Sequence, residues 1–504
     1  MFVASFGLGL YYVDKPPMEF HGTRQYHSAI LARGFYESPK LGRLAESPPD
    51  GIIEPPIIEF AASVAYRVLG EEYLWVPRLL SAAFWTIGGL FLYLIARKLV
   101  SADAAIFSVF FYLFDPYSII ASKAFMPDTL MVMMLLISIF AILRYHEQPS
   151  TRRLLVTALV SSLAILIKPG ICVFQVFGAF VSLTIYKQGL RKAVNSSHLL
   201  AFSALSLLPT TLYFIYGTLV EGFLQAQLQA KIMPNLLFER SFWQGWMGQI
   251  SLNVGNFALL GALFGVLLFR SGLHRALMVG LWGGYFLFGL TFTYHISTHD
   301  YYSLQFIPIV ALSLSPVAAL IINGLKRVDL QYYKRASLVG LLLLAICLNA
   351  YDNRAELLLI REQLEKDTYV AQDYLGGPVA VDYQELAETY EEIGEAVDHS
   401  SRTLFLVPDV GLPLIYYGRL SGAWFPPNGE QQEPYMASNA EERFSTMYSE
   451  LSPEYFIVIT PYYQWGRTVD FLEGEEYADL RKLLDEDFSI VAQGKGYVVY
   501  DLRK

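Results

Sequence analysis

The sequence predicts a polytopic α-helical membrane protein with a soluble α/β domain at its C-terminal end. Three observations predict it. Repeated apolar stretches fill roughly the first 350 residues, with charges confined to short turns. Hydrophobic residues make up 54% of the chain and charged residues 16%, against about 25% charged in an ordinary soluble domain. Net charge also divides: residues 1–350 carry 25 Lys+Arg against 17 Asp+Glu, a balance of +8, and residues 351–504 carry 12 against 29, a balance of −17. A domain boundary near 350 separates the two compositions. Two cysteines, Cys172 and Cys347, both inside apolar stretches, exclude a disulfide framework.

Apolar spans are expected at about 79–96, 104–122, 129–143, 154–167, 170–186, 199–220, 250–269, 276–293, 301–325 and 336–351. Phe2–Val13 is a further apolar piece without the flanking pattern of a cleaved signal, and is expected to be a truncated first span. About eleven transmembrane helices result. With eleven, five short turns share one side and hold 14 basic residues, from Arg97 and Lys98 through Lys334 and Arg335. The short turns opposite hold four: Lys123, Lys168, Lys231 and Arg240. The positive-inside bias places the basic turns in the cytoplasm. The 14–78 loop and the acidic C-terminal domain are then extracytoplasmic, in what is expected to be a bacterial cytoplasmic membrane.

The outer loops hold two interfacial helices by this reading. One begins at Thr23, with Ile30 and Phe35 towards lipid and Arg24, Gln25 and His27 towards water. The other, Ile57–Leu69, is too short to span and stops at Gly70. Pro55 and Pro56 suit its first turn, and Glu54 its positive end. Asp115, Asp128, Lys168-Pro169 and Tyr294–Tyr302 mark the outer ends of later spans. Ionisable groups recurring at one membrane face point to a site, against about even odds for snorkelling or capping at any single position. Together they suit a cavity in which cations hold a phosphate and a base takes a proton.

The order of these motifs resembles the GT-C glycosyltransferases of the family-39 and aminoarabinose-transferase type, which include the protein mannosyltransferases. The order is Thr23-Arg24, Glu54-Pro-Pro, Arg78-Leu-Leu-Ser, Asp128, Lys168-Pro169 and His299-Asp-Tyr-Tyr302, across most of residues 15–325. The resemblance implies a GT-C-like fold and a polyprenyl-phosphate-linked sugar donor. It also implies direct displacement by an acceptor outside the cytoplasm, with inversion at a hexosyl or pentosyl centre. The acceptor is a lipid, glycan or protein; nucleic acid has no place in this chemistry.

The resemblance assigns Arg24, Lys168, Tyr301 and Tyr302 to the donor phosphate and Glu54, His299 and Asp300 to substrate binding. The two positions before Thr23, acidic in the family's Asp-Glu-Thr-Arg pattern, are His21 and Gly22 here. The base is therefore sought among Glu19, His21 and Asp128. No cofactor is named by the residues. In some members a glutamate at the Glu54 position and a histidine in the middle outer loop bind a divalent metal, but the 218–249 loop has no histidine, so no metal ligand is assigned. A transporter or flippase of lipid-linked sugar, and an inactive glycolipid-binding relative, are the alternative readings.

In the C-terminal domain, strands are expected at Val379–Asp382, Thr403–Val407, Tyr455–Thr460, Phe488–Ala492 and Gly496–Tyr500. Helices are expected at Gln384–Asp398, Asn439–Glu450 and Thr468–Asp485. This alternation predicts a small α/β domain. Its acidic runs Glu391-Glu392, Glu475-Glu476 and Asp485–Asp487 read as solvated helix faces, and Trp424-Phe-Pro-Pro as a packing loop.

Overall fold

A computed structural model describes residues 1–18, 20–38, 51, 52, 54–222, 224, 233–326, 340, 348, 351, 370–373, 377–380, 383–426, 439–464 and 467–503. The chain divides into two units: Met1–Val13 with Asp50–Arg361, and Asp14–Pro49 with Glu362–Lys504.

The first unit is helical. Among the described residues, Trp75–Leu99, Asp128–Glu147, Ser197–Val220 and Phe306–Lys326 are long and apolar enough to cross a bilayer. Shorter apolar helices, such as Thr151–Ile167 and Cys172–Gln188, stand at the expected positions between them. The expected span at 336–351 lies outside the described residues except 340, 348 and 351. Two expected spans are broken. The 104–122 stretch divides at Asp115, which caps a new short helix, Pro116–Ala121, by accepting from the Ser118 N–H at 3.1 Å. The 250–269 stretch becomes Arg240–Val254 and Asn256–Leu268, bent by 89°. Gly255 between them sits at φ 75°, in the left-handed region that side chains disfavour.

Small residues set the close packing of Cys172–Gln188 against Gly272–Thr291. A Cβ on Gly178 would run into the Gly280 carbonyl, and one on Gly284 into the Phe174 carbonyl. Without a hydrophobic driving force in lipid, such close backbone approach is what joins helices. At another helix end, buried Arg78 donates to the Tyr12 and Val13 carbonyls at 2.9 and 3.1 Å, and buried Lys123 to the Tyr11 carbonyl at 2.9 Å. These cations hold the end of the first apolar segment. Ile57–Leu69 forms as expected, with Pro56 at its N-cap and Gly70 (φ 89°) ending it. Ile58, Glu59, Ala62, Ser63 and Tyr66 share its buried face, and Phe60, Val64 and Val68 are exposed.

The second unit joins the first-loop helix to the C-terminal α/β domain. Strands β1 (Val370–Asp373) and β2 (Gly377–Ala380) pair antiparallel. The main sheet uses β3 (Thr403–Leu406), β4 (Gly422–Trp424), β5 (Tyr455–Ile459), β8 (Ser489–Gly494) and β9 (Tyr497–Asp501), in the order β4-β3-β5-β9-β8. β3 runs parallel to β4 and β5, and the remaining pairs are antiparallel. β6 (Tyr462–Gln464) and β7 (Arg467–Val469) form a small ribbon. Leu404, Leu406, Phe456, Val458, Val498 and Tyr500 alternate onto one face and pack on Phe444, Met447, Leu480 and Leu484 of two helices. Phe425 joins this core, so Phe425 of the Trp-Phe-Pro-Pro segment is a packing residue. The acidic runs are exposed, as read.

Two expectations are corrected here. Thr468–Asp485 is not one helix: Val469 ends β7, a turn at Asp470–Gly474 follows, and the helix begins at Ala478. Within that turn Asp470 accepts from the Glu473 N–H at 3.0 Å. The first-loop helix, Gly22–Glu37, does exist, but Gln25, His27 and Ile30 are all buried rather than divided between water and lipid. Gln25 donates to the Pro17 and Phe20 carbonyls at 3.1 and 2.7 Å. Tyr26 donates to the Tyr417 hydroxyl at 3.0 Å. Arg33 donates to the Tyr416 carbonyl at 2.7 Å and stands 4.0 Å over the Tyr416 ring. A charged hydrogen bond and a desolvated cation–π contact each contribute on the order of 1–3 kcal/mol. Arg33→Met should therefore speed amide hydrogen exchange in 22–37 by roughly tenfold or more; unchanged protection would show that the helix is held by its apolar contacts alone.

Candidate active site

Lys168 is the centre of the site in the first unit. It ends the helix Thr151–Ile167, and Pro169 and Gly170 (φ 93°) turn the chain away behind it. Its side chain is 2% exposed. Taking an ammonium out of water costs several kcal/mol unless it is paired, and the pairing is visible. Nζ donates to Asp128 Oδ1 at 2.7 Å and Oδ2 at 2.9 Å, and Glu54 Oε1 lies 3.9 Å away. The rings of Tyr301 and Tyr302 face the ammonium at 4.7 and 5.0 Å.

Each partner arrives from a different element. Asp128 opens the helix Asp128–Glu147, where the positive end of the helix favours a carboxylate. Glu54 precedes the helix Ile57–Leu69. Tyr301 and Tyr302 belong to a short 3-10 turn, Asp300–Ser303. Asp300 fixes that turn by accepting from the Tyr301 N–H at 2.7 Å, and Asn253 donates to the Asp300 carbonyl at 3.1 Å. His299 packs edge-on to both tyrosines, with ring centroids 5.6 and 5.9 Å away.

Of the sequence-predicted residues, the structure thus gathers Glu54, Asp128, Lys168, Tyr301 and Tyr302 around one ammonium, and sets His299 and Asp300 on the flank. His21 and Arg24 belong to the second unit, at the start of the first-loop helix, with His21 in the left-handed region at φ 48°. Glu19 lies outside the described residues. An open groove of about 770 Å³ along Arg240–Val254, lined by Phe238, Arg240, Trp243, Met247, Ser251 and Asn256, contains none of these residues.

The charges explain what the cluster can do. Glu54, Asp128 and Lys168 sum to −1, so the lysine is a held cation rather than a bare one. A phosphate that approaches Lys168 competes with Asp128 for its N–H groups. Asp128, with both oxygens engaged, is poorly placed to take a proton and well placed to orient the ammonium. Glu54 and Asp128 already face a cation, and among the described residues no three His, Cys, Asp or Glu side chains gather to hold an ion.

Reading from sequence missed two neighbours. His295, one helical turn before His299, stacks with it at 5.4 Å and meets Tyr302 at 4.9 Å; its i, i+4 spacing was a usable signal. Tyr213, within electrostatic reach of Glu54 and Glu59, carried no signal in an apolar span.

Comparison with known proteins bears on the fold. A family model described as dolichyl-phosphate-mannose-protein mannosyltransferase matches residues 53–215, which include Glu54, Asp128 and Lys168. No curated protein sequence matches the chain. ArnT from Cupriavidus metallidurans, solved bound to undecaprenyl phosphate, superposes with a TM-score of 0.59 at 14% identity, over 99% of this chain and 97% of that one. Its apo structure gives 0.58 over 99% and 96%. The Archaeoglobus fulgidus oligosaccharyltransferase gives 0.55 at 11% identity, over 91% of this chain and 69% of that one. The fold is GT-C. The chain is accordingly a polytopic helical membrane protein with a C-terminal α/β domain, as its composition predicted.

Proposed function

We propose that this protein is a membrane glycosyltransferase that moves a sugar from a polyprenyl-phosphate donor to an acceptor on the extracytoplasmic side. The observation that carries the reading is the buried Lys168, oriented by Asp128 and Glu54 and faced by two tyrosines, in a fold shared with a protein solved on undecaprenyl phosphate. The acceptor oxygen or nitrogen attacks the anomeric carbon while the carbon–phosphate oxygen bond breaks. The electron pair leaves with the polyprenyl phosphate, and the acceptor's proton passes to a base. Displacement in one step inverts the anomeric centre. Lys168 meets the charge that grows on the leaving phosphate, and Tyr301 and Tyr302 exclude water from it. Asp128 and Glu54 position the lysine. The roles of Glu19, His21 and Arg24 rest on the resemblance of the first loop. Binding energy for the transferred unit, a hexose or a pentose, falls to groups such as His299 and Asp300.

The direct test is transfer from a panel of radiolabelled undecaprenyl-phosphate hexoses and pentoses by the purified chain. Absence of transfer and of donor hydrolysis across the panel, with intact protein, would end this reading. Sidedness is tested separately. A cysteine placed at Gln188 should react with membrane-impermeant reagent only from the cytoplasmic side, and one at Ser400 only from outside. Labelling of position 400 from the cytoplasm alone would reverse both the topology and the side of transfer.

A further inference from the structure

The turn Asp300–Ser303 has to bring two successive side chains to one ammonium. In a 3-10 turn successive side chains diverge by about 120°. The Tyr301 and Tyr302 rings nonetheless stand 5.0 Å apart and face Lys168 Nζ at 4.7 and 5.0 Å. A small rotation of the backbone would take one ring off the cation. Buried side chains hold the turn against that rotation. Asn253, near the end of the helix Arg240–Val254, donates through Nδ2 to the Asp300 carbonyl at 3.1 Å. Gln305, just before the helix Phe306–Lys326, donates through Nε2 to the Tyr302 carbonyl at 2.7 Å. The Ser303 and Tyr285 hydroxyls share a hydrogen bond at 2.8 Å, and Trp246 donates to the same Tyr285 oxygen at 3.1 Å. Asn253 and Gln305 are both fully buried, and neither Asn253 Oδ1 nor Gln305 Oε1 has a hydrogen-bond partner among the described residues. A buried amide with one end unpaired is costly, and leucine or methionine would fill the same space without that cost. What the two amides add is their N–H groups, aimed at the turn.

We propose that Asn253 and Gln305 are positioning residues for the transfer reaction, fixing the turn so that both tyrosine rings stay over Lys168. This rests on the glycosyltransferase reading, in which the rings keep water from the ammonium and from the phosphate it meets. The Asp300 carbonyl immediately precedes Tyr301 and the Tyr302 carbonyl immediately follows the second ring, so the two N–H contacts bracket the pair. Loss of either leaves a buried carbonyl unpaired, and the turn rotates to recover a partner. The link from Trp246 through Tyr285 to Ser303 ties the end of the same turn to two helices, Arg240–Val254 and Gly272–Thr291. Both amides therefore act on the ammonium through the tyrosines.

The experiment titrates the full-length protein in detergent with undecaprenyl phosphate, and follows turnover of radiolabelled undecaprenyl-phosphate sugars. Asn253→Leu and Gln305→Met are each made in two backgrounds: wild type, and Tyr301→Leu with Tyr302→Leu. In the wild-type background each should lower undecaprenyl-phosphate affinity and turnover by roughly 3- to 30-fold. In the background without the rings, each should change the affinity by less than about twofold, because the effect of a residue that acts through another vanishes with it. Thermal midpoints are read alongside. Asn253→Ala and Gln305→Ala, which remove the N–H groups without adding bulk, repeat the comparison where a first variant does not fold. An amide that serves only the fold lowers the thermal midpoint and gives the same loss of affinity in both backgrounds; that result overturns the proposal. So does wild-type affinity and turnover in both single variants. A wild-type protein that binds no undecaprenyl phosphate and processes no donor overturns the glycosyltransferase reading itself, and this positioning role with it.

Discussion

Lys168→Met is expected to cost both fold stability and donor binding, and the two losses can be separated. In the fold, the substitution takes from Asp128, itself 2% exposed, the ammonium that both its carboxylate oxygens now accept from. Breaking a buried pair from one side typically costs about 3–5 kcal/mol, because the remaining charge keeps its desolvation penalty. Glu54 adds a second negative charge nearby and relieves none of it. Thermal unfolding in detergent should show a clear drop. Lys168→Met with Asp128→Leu removes both charges and should restore most of the lost stability, since an apolar pair of similar volume is often neutral against an ion pair. Donor binding behaves differently. A charge-assisted hydrogen bond to phosphate is worth about 1.5–3 kcal/mol, or roughly 10- to 150-fold in affinity. Neither the single nor the double variant can make it. Titration with undecaprenyl phosphate should therefore show weak binding in both, including the variant whose fold is repaired. A stable double variant with wild-type affinity would place the phosphate elsewhere.

The difference between what was legible and what was not lies in where each signal resides. Lys168-Pro169, Asp128 after Pro127 and the Asp-Tyr-Tyr segment stand out because a charge in an apolar stretch is costly and needs a local partner. Reading them as one site required only that their spans end at the same face, and the Lys168–Asp128 pair at 2.7 Å agrees. The lysine's charge balance was not legible: a sequence shows a cation, not the carboxylates turned onto it. The break at Gly255 was equally hidden. Gly248 and Gly261 flank it in neighbouring helices, and only the local backbone distinguishes the glycine at φ 75° from them. The first-loop helix was found by its residues but given the wrong surroundings. Tyr26, Ile30 and Arg33 form a face that periodicity assigns to some partner without naming it, and the Tyr416–Tyr417 pair that receives it is nearly 400 residues away in the chain.

Asp128→Asn separates the two functions of the charge cluster most sharply. In the wild type, Glu54, Asp128 and Lys168 sum to −1, and the phosphate of the proposed donor would bring further negative charge. Removing the Asp128 charge takes the cluster to zero and frees N–H groups of Lys168 that Asp128 now occupies. Two unit charges about 5 Å apart interact by about 3 kcal/mol at an effective dielectric of 20, so even a part of that change is large. Undecaprenyl-phosphate affinity should rise by roughly tenfold or more, the opposite sign to Lys168→Met. Turnover should fall all the same. In the proposed reaction the leaving group is polyprenyl phosphate, and a site that holds it more tightly releases it more slowly, so product release limits the rate. Single-turnover kinetics then decide between roles. With Asp128 as a positioning residue, the chemical step in Asp128→Asn stays within about an order of magnitude of wild type, and the loss appears only over many turnovers. With Asp128 as the base, the single-turnover rate itself falls by roughly 10²–10⁴-fold. Weaker undecaprenyl-phosphate binding in Asp128→Asn would refute the competition, and would mean that Lys168 reaches the phosphate only when this carboxylate holds it in place.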